Sequence, residues 1–360
     1  MSQHDKNHTT NKETFPLPES PSSVGSIQSD TLNHEFRSEY RVDSSSTKSH
    51  YQQMSSALQL MQQGIKQQKA GEFHSAMEYL QESLNILQAI DDIQKQAQVL
   101  LALALVSYNI ADYAGTISYS QQCLSLTQNK PDSMIRMQAF SHLGNAYRHL
   151  NEYEQAIKFL EQSLQITKKS RDQQSQVAAL NNLGLVYKAM GNFAKAIDYQ
   201  QQSLQILQEL QDNWGQEQVL KNLGNAFYAL EDYPTAIAYY EQCVKIALSL
   251  KNHRSACQVL KNLGNACYAL GNFTEAITHY EERLQLARLL QDKRSEEQCL
   301  SSLGITCEAI SNYRQAIAYY EQRLLLARSI KDRRCEEQSL ASLRVACYAI
   351  GDYAKAMEYE

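Results

Sequence analysis

The sequence predicts an all-α fold, an array of antiparallel helix hairpins stacked into a solenoid, and three observations predict it. Residue types recur at a fixed step of 40 positions from about Tyr51 onward, a self-similarity that marks a repeat architecture rather than a closed globule. Within one step the apolar residues follow helical spacing. Phe140, Leu143, Gly144, Tyr147 and Leu150 fall at i, i+3, i+4, i+7 and i+10, and Ala156, Ile157, Leu160 and Leu164 resume the pattern after a short break. At that break the equivalent units place Gly71, Gly191, Gly271 and Gly351, the residue suited to a helix C-terminus that needs a positive φ. Two helices joined by so tight a turn run antiparallel.

Three columns carry the period. The first is Gly64, Gly144, Gly184, Gly224, Gly264 and Gly304, with Ala104 and Arg344 as exceptions. An aromatic column runs from Phe73 and Tyr113 through Tyr153, Phe193, Tyr233, Phe273 and Tyr313 to Tyr353, eight units without a gap. The third is Ala76, Ala156, Ala196, Ala236, Ala276, Ala316 and Ala356, broken by Thr116. Residues 51–360 are therefore expected to hold eight 40-residue units, the last one incomplete, because its second helix begins near Tyr353 and the sequence given stops at Glu360.

Element starts and stops follow from local chemistry. Asp92, Asp132, Asp172, Asp212, Asn252, Asp292 and Asp332 precede the first helices, where a short carboxylate or amide accepts from unpaired N–H groups. Pro131 precedes such a cap, and Pro234 falls in the first turn of a second helix, where its missing N–H costs little. The glycine column lies in helix interiors, so it reads as space for close helix crossing. A phosphate loop needs its glycines clustered ahead of a helix, and these stand 40 apart.

The first 50 residues are different in kind. They hold eleven serines and three of the five prolines, too little apolar surface to offset an ordering entropy of about 1–2 kcal/mol per residue. A disordered tail is expected over residues 1–50. Its scattered histidines lack metal-ligand spacing, and Asn7-His8-Thr9 is a glycosylation pattern with no export signal before it.

Composition narrows the function classes. A net charge of −5 with 20% charged residues argues against a basic nucleic-acid binder. No apolar run reaches the length of a membrane helix and no signal peptide opens the chain, so a cytoplasmic location is expected. Eight cysteines without a CxxC pair argue against both a disulfide framework and a zinc knuckle. No metal, cofactor or catalytic constellation is expected, and the chain reads as a non-enzyme.

Leu143-Gly144-x-x-Tyr147 with Tyr153 and Ala156, repeated as Leu183-Gly184-x-x-Tyr187 with Phe193 and Ala196, resembles the tetratricopeptide repeat over residues 51–360. The usual unit has about 34 residues. The longer unit here resembles the extended variety of Pins/LGN-type scaffolds and of bacterial arrays fused to catalytic domains, to which Tyr320–Arg334 and Leu223–Tyr233 are close. The resemblance implies a right-handed superhelix whose first helices line a concave groove for a partner peptide. Departures from the pattern are Cys267, Cys307 and Cys347 in place of the aromatics Tyr147, Tyr187 and Phe227, so the last units should pack differently from the middle ones.

The candidate peptide-binding residues lie on the inner face. Residues three and four apart share one side of a helix, so Gln218, Lys221, Asn222 and Asn225 form a polar stripe, and Gln258, Lys261, Asn262 and Asn265 form its twin in the next unit. Amides and ammoniums suit peptide carbonyls and carboxylates because they supply donors. The resemblance adds that Lys221, Asn225 and Asn262 sit where tetratricopeptide domains that clamp a terminal carboxylate keep equivalent residues. Gln298 and Ser302 replace the two basic groups that a full clamp would need. Asn145 and Arg148 extend the stripe, and Leu185 interrupts it.

Other features have structural readings. Lys293, Arg294, Arg333 and Arg334 face Glu296, Glu297, Glu336 and Glu337 three to four residues later. The three aligned cysteines read as core filling, and Trp214 is expected in a loop. Two function classes remain: a protein-interaction scaffold or adaptor binding a partner peptide in the groove, or the sensing or recruiting arm of a longer multidomain signalling or protease-type enzyme.

Overall fold

The computed structural model describes residues 44–128 and 133–360, and these form sixteen helices with no strand among them. The first helices of the units are α1 (Ser44–Ala70), α3 (Ile93–Asn109), α5 (Ser133–His149), α7 (Gln173–Ala189), α9 (Asn213–Ala229), α11 (His253–Leu270), α13 (Lys293–Ala309) and α15 (Arg333–Ala349). Each is followed by a partner: α2 (Phe73–Ala89), α4 (Tyr113–Leu126), α6 (Tyr153–Ser170), α8 (Phe193–Glu209), α10 (Tyr233–Ser249), α12 (Phe273–Leu289), α14 (Tyr313–Ile330) and α16 (Tyr353–Met357). Helix α1 starts at Ser44, ahead of the expected boundary at Tyr51. The rest of the expected tail, Asn7, Pro131 and Asp132 lie outside the described residues.

The turns explain the regularity. A residue of positive φ closes a helix at Gly71, Asp91, Ala111 and Asn151, and then at every twentieth position from Arg171 to Gly351. Turns within units and turns between units therefore share one geometry, and the backbone repeats at half the sequence period. At the turn after α2, the Asp91 N–H donates to the Gln88 carbonyl at 3.2 Å and the Asp92 N–H to the Leu87 carbonyl at 3.1 Å, the paired bonds that end a helix on a left-handed residue. Asp92 then caps α3, accepting from the Lys95 N–H at 2.9 Å. One three-residue connector thus closes a helix and opens its successor.

The expected caps Asp92, Asp172, Asp212, Asn252, Asp292 and Asp332 all accept from the N–H three residues on. A second set, Asp112, Asn192, Asp232, Asn312 and Asp352, does the same for second helices. Pro234 stands in the first turn of α10, as expected. Trp214 is the exception: it lies in the first turn of α9 rather than in a loop, about half exposed.

Packing follows the columns. Leu103, Leu143, Leu183, Leu223, Leu263, Leu303 and Leu343 are all buried, each contributing roughly 1.5–3 kcal/mol to a core that runs along the array. The glycine column faces the residue sixteen positions later. A Cβ on Gly64 would stand 2.6 Å from Leu80 Cγ, and one on Gly264 2.5 Å from Tyr280 Cε1. Where the glycine becomes Ala104, the facing residue shrinks to buried Ser120. First helices also pack on one another, α1 on α3, α3 on α5, α5 on α7 and α9 on α11, which places them on the inside of the curve.

Candidate functional site

The inner wall is built from one face of the first helices, whose residues range from exposed to buried, and its chemistry changes along the array. Leu101, Ala102 and Leu105 line it in the second unit. The third unit brings Ser141, His142, Asn145 and Arg148, and the fourth brings Asn181, Asn182, Leu185 and Lys188. The fifth and sixth carry the two predicted stripes, and the seventh and eighth turn to Ser301, Ile305, Ala341 and Val345. Ile305 and Val345 stand open to solvent.

The structure brings the stripes together. Asn262 Nδ2 donates to Asn225 Oδ1 at 3.0 Å across the unit boundary. Tyr240, packed on Gly224 from α10, donates its hydroxyl to the same oxygen at 2.8 Å. The acceptor side of Asn225 is filled by these two bonds, so its amide nitrogen is the group left for a ligand. Asn265 is oriented in the same way by the Tyr280 hydroxyl at 2.7 Å. Lys221 donates to Gln218 at 3.0 Å, which holds its ammonium on the wall. Among the described residues, the side chains of Asn222, Gln258 and Lys261 make no hydrogen bond or ion pair and keep their full capacity.

Several residues of this surface were missed by the sequence reading. Tyr228 and Tyr268 continue each stripe by one more helical step, three residues past Asn225 and Asn265, and pack edge-on against Tyr233 and Phe273 at 5.4 and 5.2 Å. The i+3 signal that located the stripes reaches them as well. Tyr240 and Tyr280 carry no such signal, since their role depends on a contact with the preceding helix. In the third unit, burial pushes His142 down to about 4, so the imidazole is neutral at pH 7 and adds no charge to the wall.

The cysteine column is core. Cys267, Cys307 and Cys347 are buried, unpaired thiols, and burial pushes Cys267 and Cys307 up to about 11, which keeps them protonated and poor as metal ligands or nucleophiles. Their effect is on packing. Tyr147 stacks on Phe159, Tyr187 on Tyr199 and Phe227 on Tyr239, at 5.6, 5.5 and 5.4 Å. With Cys307 and Cys347 in place of a ring, Tyr319 and Tyr359 instead donate their hydroxyls to Glu281 and Glu321 of the preceding unit, at 2.6 and 2.8 Å. No group of His, Cys, Asp or Glu among the described residues could hold a metal ion, and no described helix is long and apolar enough to cross a membrane.

The C-terminal charges pair differently from the spacing expectation. Lys293 does meet Glu296 at 3.1 Å. Glu297, however, pairs with Arg323 of α14, Glu296 also takes Arg288 at 2.9 Å, and Glu336 takes Arg328 at 2.7 Å. Carboxylates of the first helices are thus claimed by arginines of second helices, because the hairpin brings those closer than the residue one turn away.

Comparison with known proteins agrees with this architecture. A tetratricopeptide repeat family model matches residues 95–169, 175–249 and 255–329, and a second model of the same repeat matches residues 221–288. No curated protein sequence matches the chain. Among solved structures, a signal transduction ATPase with numerous domains and a tetratricopeptide repeat sensor, from Pyrococcus horikoshii, is similar at 15% identity and a TM-score of 0.60. The match covers 84% of this chain and 51% of that one, so this chain spans about half its length. Aspartyl phosphate phosphatase F from Bacillus subtilis matches at 15% identity and a TM-score of 0.57, over 77% of this chain and 71% of that one. The apo quorum sensor NprR from B. thuringiensis matches at 14% and 0.51, over 87% and 97%. At these identities the likeness is one of fold.

Proposed function

This chain belongs to the tetratricopeptide repeat family, and on that premise we propose that it is a protein-interaction scaffold holding an extended partner peptide in its inner groove. Lys221, Asn222 and Asn225, with Lys261, Asn262 and Asn265, are the residues assigned to contact it, flanked by Gln218 and Gln258. The observation that carries this reading is the orientation of Asn225. Its oxygen accepts from Tyr240 and Asn262, so the amide is presented as a donor in a fixed direction before any ligand arrives. Preset donors suit the carbonyls of an extended chain, because less side-chain entropy is lost on binding. The eight cysteines form no disulfide, which fits a reducing compartment such as the cytoplasm.

The test is capture of the native partner by the full chain and by the double variant Lys221→Glu, Asn262→Ala. At least a tenfold loss of affinity is expected, with the circular-dichroism helix signal intact. Unchanged capture would remove these residues from the site. A second reading, the array as sensing arm of a larger protein, is favoured by the similarity to the Pyrococcus protein, whose repeats are described as a sensor. An open reading frame continuing past Glu360 into a catalytic domain would support it.

A further inference from the structure

A pair of facing positions changes character toward the C-terminal units. One lies on the second helix, at Ser83, Cys123, Ser163, Ser203, Cys243, Arg283 and Arg323; its counterpart lies 26 residues earlier on the first helix. In the early units a small side chain caps a carbonyl across this gap. Ser83 Oγ donates to the Ala57 carbonyl at 2.8 Å, and Ser163 Oγ to that of Met137 at 3.2 Å. In the seventh unit an ion pair replaces it. Arg323 donates from Nε to Glu297 at 2.7 Å and from Nη2 to Gln338 at 3.0 Å.

Arg283 has half of this arrangement. Its Nη2 donates to Gln298 at 3.0 Å, as that of Arg323 does to Gln338. The counterpart that should supply the carboxylate is Cys257 instead of an acid. The arginine is 2% exposed, and its Nε and Nη1 are buried with no partner. A guanidinium cannot shed its proton to escape this, and leaving those two nitrogens unpaired carries a desolvation cost that the Gln298 bond and the charge of Asp292 offset only in part. No nearby acid hydrogen-bonds Arg283, although Asp292 feels its charge. Asp292 accepts from the Ser295 N–H at 3.0 Å, and Glu296 is held by Arg288 and Lys293.

We propose that Arg283 is a carboxylate-binding site completed by the ligand: the acid group that Glu297 gives Arg323 from within the chain comes to Arg283 from an aspartate or glutamate of the partner peptide. This rests on the groove reading above. Gln298, the present partner of Arg283, continues the inner-wall row of Gln218 and Gln258, so the guanidinium lies directly behind the groove surface. An acid entering beside Gln298 gains charge-assisted bonds from donors that have no others. The groove then prefers an acidic residue where it crosses from the sixth unit to the seventh.

Thermal unfolding of the full chain tests this, with acetate, its neutral isostere acetamide and the blocked peptide N-acetyl-Gly-Asp-Gly amide titrated at constant ionic strength. A native-state ligand raises the midpoint by mass action. Both acids should raise it, the peptide at about tenfold lower concentration, and acetamide should not. Cys257→Glu supplies the acid from within, so it should unfold at a higher midpoint and respond to neither acid, while Cys257→Gln keeps the response. Should Cys257→Glu fail to fold, Arg283→Met provides the same loss of response. A response in Cys257→Glu or Arg283→Met equal to that of wild type, or none in wild type, overturns the site. A response to acetate with no advantage for the peptide overturns the peptide as the source. The groove reading fails separately, through Lys221 and Asn262, neither of which touches Arg283.

Discussion

The third and fifth units place an asparagine at the same step of the inner wall, Asn145 and Asn225, and treat it differently. Asn225 gives its oxygen to Tyr240 and Asn262. Asn145 is 3% exposed, and its oxygen has no partner. The difference lies fifteen residues downstream, where the third unit has Leu160 and the fifth has Tyr240. One hydroxyl, arriving from the second helix, separates a directed donor from a buried amide with unmet demand. The same side chain on the same backbone step is therefore a different chemical group, according to what the neighbouring helix delivers to it.

Acidification is the largest expected way to break this comparison. The third unit carries His142 where the fifth and sixth carry Asn222 and Asn262. Because burial lowers His142 to about 4 from 6.5, the unfolded chain binds a proton in that window that the folded chain does not. Stability is therefore lost as pH falls from about 6.5 to about 4, by no more than about 3.5 kcal/mol at roughly 1.4 kcal/mol per pH unit. Urea midpoints across this range should fall more steeply for wild type than for His142→Asn. Parallel slopes would show that His142 takes no part.

Gly264→Ala comes next. It drives a methyl to 2.5 Å from the buried ring of Tyr280, and overpacking of this kind costs about 1–3 kcal/mol. Gly144→Ala meets Leu160 instead, whose branched end has more rotamers to yield with, so its urea midpoint should fall less. Equal losses would mean that the ring is no stiffer a neighbour than the leucine.

The smallest effects address the hydroxyl itself. Tyr240→Phe should cost about 1 kcal/mol and weaken peptide capture through loss of the Asn225 orientation. The reciprocal change Leu160→Tyr brings a hydroxyl to Asn145 and should recover up to about 1 kcal/mol, read from the chemical-denaturation midpoint. If Leu160→Tyr destabilises, the third unit differs from the fifth in backbone as well as in side chains.

Much of the fold was legible because its determinants are local. The hairpin turns show at Gly71, Gly191, Gly271 and Gly351, while the ten other positive-φ positions, among them Lys251 and Gln291, carry residues that do not advertise the geometry. The first-helix caps were read from Asp and Asn three residues ahead of the N–H groups they accept. The two polar stripes followed from helical spacing, and their assignment to the ligand is a proposal. Asn225 with Asn262 at 37 residues apart, and Arg323 with Glu297 at 26, were not legible, since many residues compete at such separations.

The sequence by itself determined the period, the hairpins and the wall on which each polar group stands, because these depend on interactions within a turn or two of helix. Tertiary structure alone decided which of those groups are already satisfied. Hydrogen-bond demand is settled across helices, and so Asn225 is oriented, Asn145 is starved, Arg323 is paired and Arg283 is left with two nitrogens to offer.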